Sequence, residues 1–344
     1  MNSLASTPYP ARSARAATAL FSMQRVLQLA QPVAIKCVNM YVQGEDFGAS
    51  TGVCVTVIRE SAALRMLRHP GVVESIDVVM GGGVVLYAME MCADGDLCNL
   101  VYDMRKRGLA AMPWDMLRSF TEQLVDAVSY VHSCRIAHRD IKPSNILLKD
   151  ARTLKLCDFG MCRVVKTSCI PADRILCDDQ DYRFTGGCTT LGYRPPELLM
   201  SSVSYNPFCV DRWSLGCVIA EMVLLRSLVC NTSESGSLLH IFELFGTPSE
   251  TTWPGVSRFM PVLMKTWPSC SVRQYFAVVR NLVPPDVAAM ADGMLRVNPS
   301  TRMTPPRAMA LMRKTVDEEW KRAEAVSLNK VGGKRRRVED LELF

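Results

Sequence analysis

Two stretches decide the fold of this chain: Ala137–Leu148, which reads AHRDIKPSNILL, and Leu154–Gly160, which reads LKLCDFG. The apolar runs ILL and LKLC within them are separated by a polar pentapeptide, KDART. This pattern predicts a β-hairpin with a turn between its strands. Because a hairpin brings its ends together, Asn145 before the first strand and Asp158 after the second are predicted to lie side by side.

The residues at the hairpin ends form a candidate metal site. A carboxamide oxygen from Asn145 and a carboxylate from Asp158 are hard oxygen ligands, which suit Mg²⁺. Asp140 lies a few residues upstream and is close enough to act on a hydroxyl group beside that metal. A metal held on phosphates, with a carboxylate that orients the attacking oxygen, is what phosphoryl transfer requires.

These motifs, with others spaced in the same order, resemble the signature set of eukaryotic protein kinases. The resemblance extends roughly from Val33 to Arg302. It implies an α+β, bilobal fold, with a small β-rich lobe containing one key helix and a larger, mostly helical lobe. We therefore predict a small lobe at 1–91, a large lobe at 92–315 and a charged C-terminal tail at 316–344.

Composition excludes several other classes of protein. The chain has 344 residues, 49% of them hydrophobic, which is enough for two lobes with sizeable cores. A net charge of +6 does not favour an extended nucleic-acid groove, and no apolar run reaches membrane-spanning length. Fourteen cysteines without a C-x-x-C pair, and only four histidines, argue against zinc and favour a reducing compartment.

The N-terminal segment has two interpretations. The first 44 residues contain no acid but carry the bases Arg12, Arg15, Arg25 and Lys36. This composition is similar to a transit peptide. The same segment, however, has to supply the first strands of the predicted fold.

Lys36 and Glu60 are the predicted phosphate-contacting pair of the small lobe. Pro32–Val38 reads as a strand that resembles the V-A-I-K strand of kinases, whose lysine contacts the α- and β-phosphates. A helix is predicted to begin near Val53, with Glu60 inside its apolar stripe. A charge in that position needs a partner, and Lys36 is the obvious one.

The phosphate loop departs from the family pattern. Ala14, Ala16 and Ala19 occupy the positions of the three glycines of the kinase loop. Glycine permits positive φ angles and a close approach of the backbone to phosphate, whereas alanine adds a methyl group that opposes both. The segment either forms an alanine-containing phosphate loop or forms no such loop. Both alternatives predict reduced nucleotide affinity or turnover.

The predicted adenine site follows the buried strand Leu86–Met91. The resemblance implies that Met89 closes the back of the adenine pocket and that Glu90 and Cys92 offer backbone groups to adenine. Asp96 resembles the residue that contacts the ribose. It is equally suited to capping the N-terminus of the next helix.

In the large lobe, the resemblance implies serine/threonine transfer. Lys142 resembles the lysine that contacts the γ-phosphate, and Thr190 the threonine that bridges to the catalytic aspartate, here Asp140. Arg194 resembles the arginine that shapes a pocket favouring proline after the target residue. Gly192 replaces the usual tryptophan, which makes the substrate platform less certain.

Three arginines resemble the family pocket for an activating phosphate. Arg59, Arg139 and Arg163 match residues that converge on a phosphothreonine, and Thr185 stands at the phosphosite. The hypothesis is that a phosphate on Thr185 offsets three like charges. The alternative is three unrelated, solvated arginines.

Structural roles are expected for three further residues of the large lobe. Asp211 resembles the aspartate that braces the backbone of the catalytic loop. Arg302 resembles the arginine that pairs with the glutamate of the P-P-E motif, here Glu197. Loss of one partner of that pair would leave a buried charge uncompensated.

The IRE string at 58–60 and the FELFGTP string at 242–248 resemble the cyclin-dependent branch of the family, and a mitogen-activated branch is the weaker alternative. We predict an enzyme that uses MgATP, phosphorylates protein serine or threonine, and requires a cyclin-like subunit. A pseudokinase scaffold, which would bind partners without turnover, is the alternative from another functional class, and the missing glycines motivate it.

Lys334–Arg337 resembles a nuclear import signal, so cytoplasm or nucleus is expected.

Overall fold

The computed structural model describes residues 32–40, 54–81, 83–165, 189–200, 205–229, 233–259, 266–269 and 283–315. Within these ranges the chain first forms a small sheet with one helix. It then forms a larger helical region that contains two short strand pairs. The predicted α+β, bilobal fold is confirmed.

The described residues of the small lobe form a three-stranded antiparallel sheet. Its strands are β1 (Val33–Asn39), β2 (Ser75–Gly81) and β3 (Val84–Glu90), in the spatial order β1-β3-β2. In the register of β1 and β3, Lys36 lies opposite Tyr87. The sheet therefore carries Lys36 at the centre of β1.

Helix α1 (Val55–Met66) is the key helix of the small lobe. The predicted stripe is confirmed, because Val57, Leu64 and Leu67 are buried together with Glu60. The helix begins two residues later than expected. A carboxylate is thus placed in an apolar face, where it requires a charged partner.

The large lobe is built around helices: α2 (Leu97–Lys106), α3 (Trp114–Ser133), α4 (Pro196–Leu199), α5 (Pro207–Leu224), α6 (Glu234–Phe245), α7 (Pro285–Met294) and a helix over 305–315. Every residue of α5 from Pro207 to Val223 is buried. A helix with apolar residues on all faces belongs at the centre of a core. Trp213 in α5 packs edge-on against Phe245, with their ring centroids 5.7 Å apart.

The predicted hairpin is present as strands β5 (Ile146–Asp150) and β6 (Thr153–Leu156). Its turn is shorter than the predicted pentapeptide, because the strands extend to Asp150 and Thr153. The Asp150 Oδ1 atom accepts a hydrogen bond from the Arg152 amide at 2.9 Å, which stabilises this tight turn.

The hairpin also connects the two lobes. The amide of Val73 donates to the Leu156 carbonyl oxygen at 2.9 Å, and the amide of Leu156 donates to the Gly71 carbonyl oxygen at 2.8 Å. A second short pair, β4 (Ile136–Ala137) with β7 (Arg163–Val164), flanks the segment 138–162, which carries Asp140, Asn145 and Asp158. The lobe boundary predicted at 91/92 falls in the connection between β3 and α2 and stays a prediction.

No helix in the described ranges is both long and apolar enough to cross a membrane.

Candidate active site

Asp140, Asn145 and Thr190 form one hydrogen-bonded cluster. The Asn145 Nδ2 atom donates to the backbone oxygen of Asp140 at 2.8 Å and to its Oδ2 atom at 3.1 Å. The Thr190 hydroxyl donates to Asp140 Oδ1 at 3.1 Å, and the Thr190 amide donates to the same oxygen at 3.2 Å. The carboxylate of Asp140 is therefore held in one orientation from two sides.

Lys142 supplies the positive charge of this cluster. Its ammonium group lies 2.9 Å from Asp140 Oδ2 and donates to the Thr190 hydroxyl at 2.9 Å. The predicted proximity of Lys142, Asp140 and Thr190 is thus observed. A cation at this point can contact a phosphoryl group presented to Asp140.

Asp158 follows the second strand of the hairpin and is the N-cap of a short 3-10 turn, Phe159–Met161. Its backbone adopts the left-handed region, with φ 60° and ψ 75°, a conformation that is uncommon for residues other than glycine. The Lys36 ammonium donates to its Oδ1 atom at 3.1 Å. Burial favours the neutral acid, but the Lys36 charge and the Gly160 amide outweigh burial and hold the pKa of Asp158 below its ordinary value. Asp158 is therefore an anion at neutral pH.

The chemistry of Asn145 and Asp158 fits a magnesium ion. The amide nitrogen of Asn145 is used by Asp140, which leaves the oxygen Oδ1 as its potential ligand. The Cys157 amide donates to the Asn145 carbonyl oxygen at 3.0 Å, so Asp158 begins directly beside Asn145. No group of three His, Cys, Asp or Glu side chains that could hold a metal occurs among the described residues. Mg²⁺ with few protein ligands usually completes its shell with phosphate oxygens and water.

The predicted pair of Lys36 and Glu60 is observed. The Lys36 ammonium lies 2.8 Å from Glu60 Oε1. Burial lowers the pKa of Lys36, but the carboxylates of Glu60 and Asp158 outweigh burial and raise it above its ordinary value. Lys36 is thus a fixed cation between helix α1 and Asp158.

In the predicted adenine site, the side chain of Glu90 forms ion pairs that the sequence did not indicate. Met89 lies opposite Ala34 at the end of β3. The side chain of Glu90 is paired with two lysines, Lys149 and Lys155, which belong to the hairpin. Cys92 lies in the connection that follows.

One of the two readings of Asp96 is observed directly. Its Oδ1 atom accepts a hydrogen bond from the Asn99 amide at 2.8 Å, which makes it the N-cap of α2. Contact with a ribose stays a prediction.

The three arginines of the predicted phosphate pocket are close to one another. Burial is the largest cause that lowers the pKa of Arg59, and the charges of Arg163 and Arg139 add to it. Arg139 is fully buried, donating from Nε to the Met161 carbonyl oxygen at 2.9 Å. It also donates from Nη1 to the Tyr205 hydroxyl at 2.9 Å, a contact that sequence reasoning missed. The full burial of Arg139 argues against the interpretation of three solvated arginines, and the phosphate pocket itself stays a prediction.

Asp211 and the Glu197–Arg302 pair occupy the structural positions expected of them. The Asp211 carboxylate accepts the amide hydrogens of His138 at 2.8 Å and Arg139 at 2.6 Å. Arg302 donates to both carboxylate oxygens of Glu197, at 2.6 and 2.7 Å. The base of the catalytic segment is therefore fixed by buried charges. His132, whose Nε2 atom lies 2.8 Å from Asp211 Oδ2, was not singled out by sequence reasoning.

The segment before the P-P-E motif has an unusual backbone. Thr189 has a φ angle of 73°, and its carbonyl oxygen accepts a hydrogen bond from Arg194 Nη2 at 2.9 Å. Arg194 also pairs with Glu234. A Cβ atom on Gly192 would lie 3.1 Å from the Val229 carbonyl oxygen, so a side chain at this position would require a small shift of the neighbouring backbone.

Several predicted features lie outside the described residues. They are Ala14, Ala16 and Ala19 of the expected phosphate loop, the phosphosite Thr185, the tail at 316–344 and the signal-like run Lys334–Arg337.

The fold and this site define a protein kinase. The family model described as "Protein kinase domain" matches residues 23–319. The chain is 34% identical over 260 residues to cell division control protein 2 homolog 3 of Trypanosoma brucei brucei, covering 75% of this chain and 77% of that protein. It is 33% identical over 257 residues to cyclin-dependent kinase 2 of Caenorhabditis elegans, covering 71% of this chain and 66% of that protein.

A solved structure is similar in fold as well. The structure of the CAK complex from Chaetomium thermophilum, bound to ATP-gamma-S, superimposes with a TM-score of 0.68 at 28% identity, covering 81% of each chain. The chain belongs to the protein kinase family, in the branch that resembles cyclin-dependent kinases, and is a protein serine/threonine kinase.

Proposed function

We propose that this kinase transfers the γ-phosphate of MgATP to a serine or threonine hydroxyl through Asp140, and that it acts with a cyclin-like subunit. One observation carries the assignment of roles. Asp140 is connected by hydrogen bonds to Asn145, Lys142 and Thr190. Within reach of this cluster, Asp158 is paired with Lys36.

Each charged group has one task in this proposal. Asp140 accepts a hydrogen bond from the substrate hydroxyl and aims its oxygen at the phosphorus, and Lys142 neutralises charge on the γ-phosphate. Lys36, fixed by Glu60, contacts the α- and β-phosphates. Asn145 and Asp158 would hold magnesium, which when bound neutralises phosphate charge. Because a substrate-orienting carboxylate, two phosphate-contacting lysines and the magnesium ligands are all present, we favour an active enzyme over the pseudokinase scaffold.

The backbone at Thr189 supports a preference for proline after the target residue. Its carbonyl oxygen already accepts a hydrogen bond from the Arg194 guanidinium group, which makes it a poorer acceptor for a backbone N–H of a substrate. Most residues would bring such an N–H and leave it unpaired, which costs about 1–3 kcal/mol when buried. Proline has no N–H and avoids this cost.

The outer face of α1 supports a protein partner. Val55, Ile58 and Met66 are large apolar side chains more than half exposed on one helix. Positions 55, 58 and 66 fall on one side of a helix with 3.6 residues per turn, so a partner could cover them together. A similar protein carries the name cyclin-dependent kinase 2, which is why we assign the partner to the cyclin class.

Replacing Ile58 by aspartate is expected to weaken binding of a cyclin subunit by about tenfold or more, because a charge would be buried in the interface. The measurement is phosphate incorporation titrated with the cyclin subunit. Tyr102→Asp, at an exposed aromatic side chain on α2, is the matched control. Equal half-saturation for the wild type and both variants would remove α1 from the interface.

The cluster of Arg59, Arg139 and Arg163 supports activation by a phosphate on Thr185. Three nearby guanidinium groups repel one another, and a dianion placed among them replaces this repulsion by charge-assisted hydrogen bonds. Because Arg139 adjoins Asp140 and Arg59 adjoins Glu60, the phosphate would connect both parts of the site.

Thr185→Ala is expected to lower kcat of the cyclin-bound kinase by about tenfold or more, because the phosphate that would bridge the three guanidinium groups cannot form. Phosphate incorporation into a peptide with proline after serine measures this loss. Thr167→Ala, at an earlier threonine of the same segment, is the control. Full activity of Thr185→Ala in a cyclin-bound preparation would end the proposal.

A further inference from the structure

We infer that Lys155, assisted by Lys149, is a positioning residue for nucleotide binding: it holds the Glu90 carboxylate against the β5–β6 hairpin and thereby fixes the backbone that receives the purine. The inference rests on the adenine contacts proposed for Glu90 and Cys92. It adds a residue that contacts neither nucleotide nor substrate but determines where the adenine contacts lie.

Glu90 is held at its side chain and at its backbone. Lys155 Nζ lies 2.7 Å from Glu90 Oε1, and Lys149 Nζ lies 3.0 Å from Oε2. The Glu74 amide donates to Oε1 at 2.9 Å, and the Glu90 amide donates to the Glu74 carbonyl oxygen at 3.0 Å. Glu90 is the last residue of β3, so these contacts set the direction in which the chain leaves the sheet toward Cys92.

Lys155 and Lys149 differ in burial, so their ion pairs with Glu90 differ in how much they stabilise its carboxylate. The side chains of Lys155 and Glu90 are 9% and 10% exposed, whereas that of Lys149 is 48% exposed. A solvated ion pair contributes little, but removing one partner of a buried pair leaves an uncompensated charge. Burial favours neutral Glu90, yet the hydrogen bonds from Lys155, the Glu74 amide and Lys149 outweigh it and lower the pKa of Glu90. Its carboxylate is therefore ionised and depends mainly on Lys155.

The hairpin that carries both lysines also carries the candidate metal ligands. Lys155 lies three residues before Asp158, and β5 begins directly after Asn145. The same hairpin holds the end of the adenine connection, because the Asp94 amide donates to the Leu148 carbonyl oxygen at 3.2 Å and the Leu148 amide donates to the Gly95 carbonyl oxygen at 2.9 Å.

A single element thus sets the adenine contacts and the metal ligands at once. A nucleotide is bound both at its adenine and at its phosphates. The distance between the adenine contacts and the metal ligands therefore has to be constant, since small misplacements of a reacting group are costly. When the Glu90 attachment is lost, the adenine end should shift while the phosphate end stays in place.

The test uses the full chain with its cyclin subunit. Lys155→Met is expected to weaken binding of a fluorescent ATP analogue and to raise KM for ATP by about fivefold to tenfold, with a smaller change in kcat and no change in KM for the peptide. Lys155→Arg should restore most of the affinity. Lys149→Met should have a smaller effect, and Lys106→Met, at an exposed lysine of α2, is the matched control.

Direct binding of the analogue separates this inference from the proposed function, because it does not require turnover. A lower Tm for Lys155→Met with unchanged affinity for the nucleotide would show a merely structural role and overturn the inference. An affinity equal to that of Lys106→Met would do the same. If Lys155→Met does not fold, Glu90→Gln gives the same readout, and wild-type affinity in that variant would also contradict the inference.

Discussion

Arg302→Ala is expected to lower the free energy of unfolding of the large lobe by about 3–5 kcal/mol, the cost of breaking a buried ion pair by removing one partner. Arg302 is 3% exposed and donates to both oxygens of Glu197, to the Cys209 carbonyl oxygen and to the Arg296 carbonyl oxygen. Its guanidinium carbon also lies 5.0 Å from the centre of the Trp213 ring. Alanine would leave the Glu197 carboxylate buried without its cation.

Urea unfolding followed by circular dichroism measures this change. Arg296→Ala is the matched control, because the half-exposed Arg296 forms an ion pair with Asp292, four residues earlier, at 2.6 Å. Such a pair contributes about 0.3–0.5 kcal/mol. If Arg302→Ala were no less stable than Arg296→Ala, the buried pair would not brace the large lobe.

Asp158→Ala is expected to reduce phosphate transfer by about a thousandfold or more, because it removes the carboxylate ligand proposed for magnesium and an anion that fixes Lys36. Lys36 keeps its contact with Glu60, so helix α1 should stay in place. Asp103→Ala, at an exposed acid on α2, is the control for a general loss of charge.

The sequence was sufficient where local patterns determine the geometry. A hairpin of two short apolar runs could only bring Asn145 and Asp158 together, and the structure has both beside each other. A charge inside an apolar helical stripe could only be compensated by a partner, and Glu60 is paired with Lys36. In both examples, strand and helix periodicity fixes which side chains meet.

The sequence was insufficient where a polar residue is buried by contacts from distant segments. Lys155 stands between Leu154 and Leu156, so strand alternation predicts an exposed lysine on the outer face of the hairpin. The structure instead buries it against Glu90, which comes from another strand. Tyr205 is similar, since no local pattern relates it to Arg139.

Asp96 illustrates a third situation, in which one residue type suits two roles. An aspartate before a helix is a good N-cap and also a good partner for a ribose hydroxyl, and the sequence does not separate these roles. The contact with the Asn99 amide shows the cap. One oxygen engaged in a cap does not prevent the other from meeting a ligand, which is why the ribose contact stays a prediction.

The central claim is that Asp140, Asn145 and Asp158, from separate stretches of the chain, serve one magnesium–nucleotide site. The most direct measurement compares radiolabelled phosphate incorporation by the purified chain, with its co-purified partners, and by Asp158→Ala prepared identically. We expect incorporation by the wild type and by Asp103→Ala, and a signal near background for Asp158→Ala. Equal incorporation by the wild type and Asp158→Ala would assign the activity to a contaminant and contradict the account.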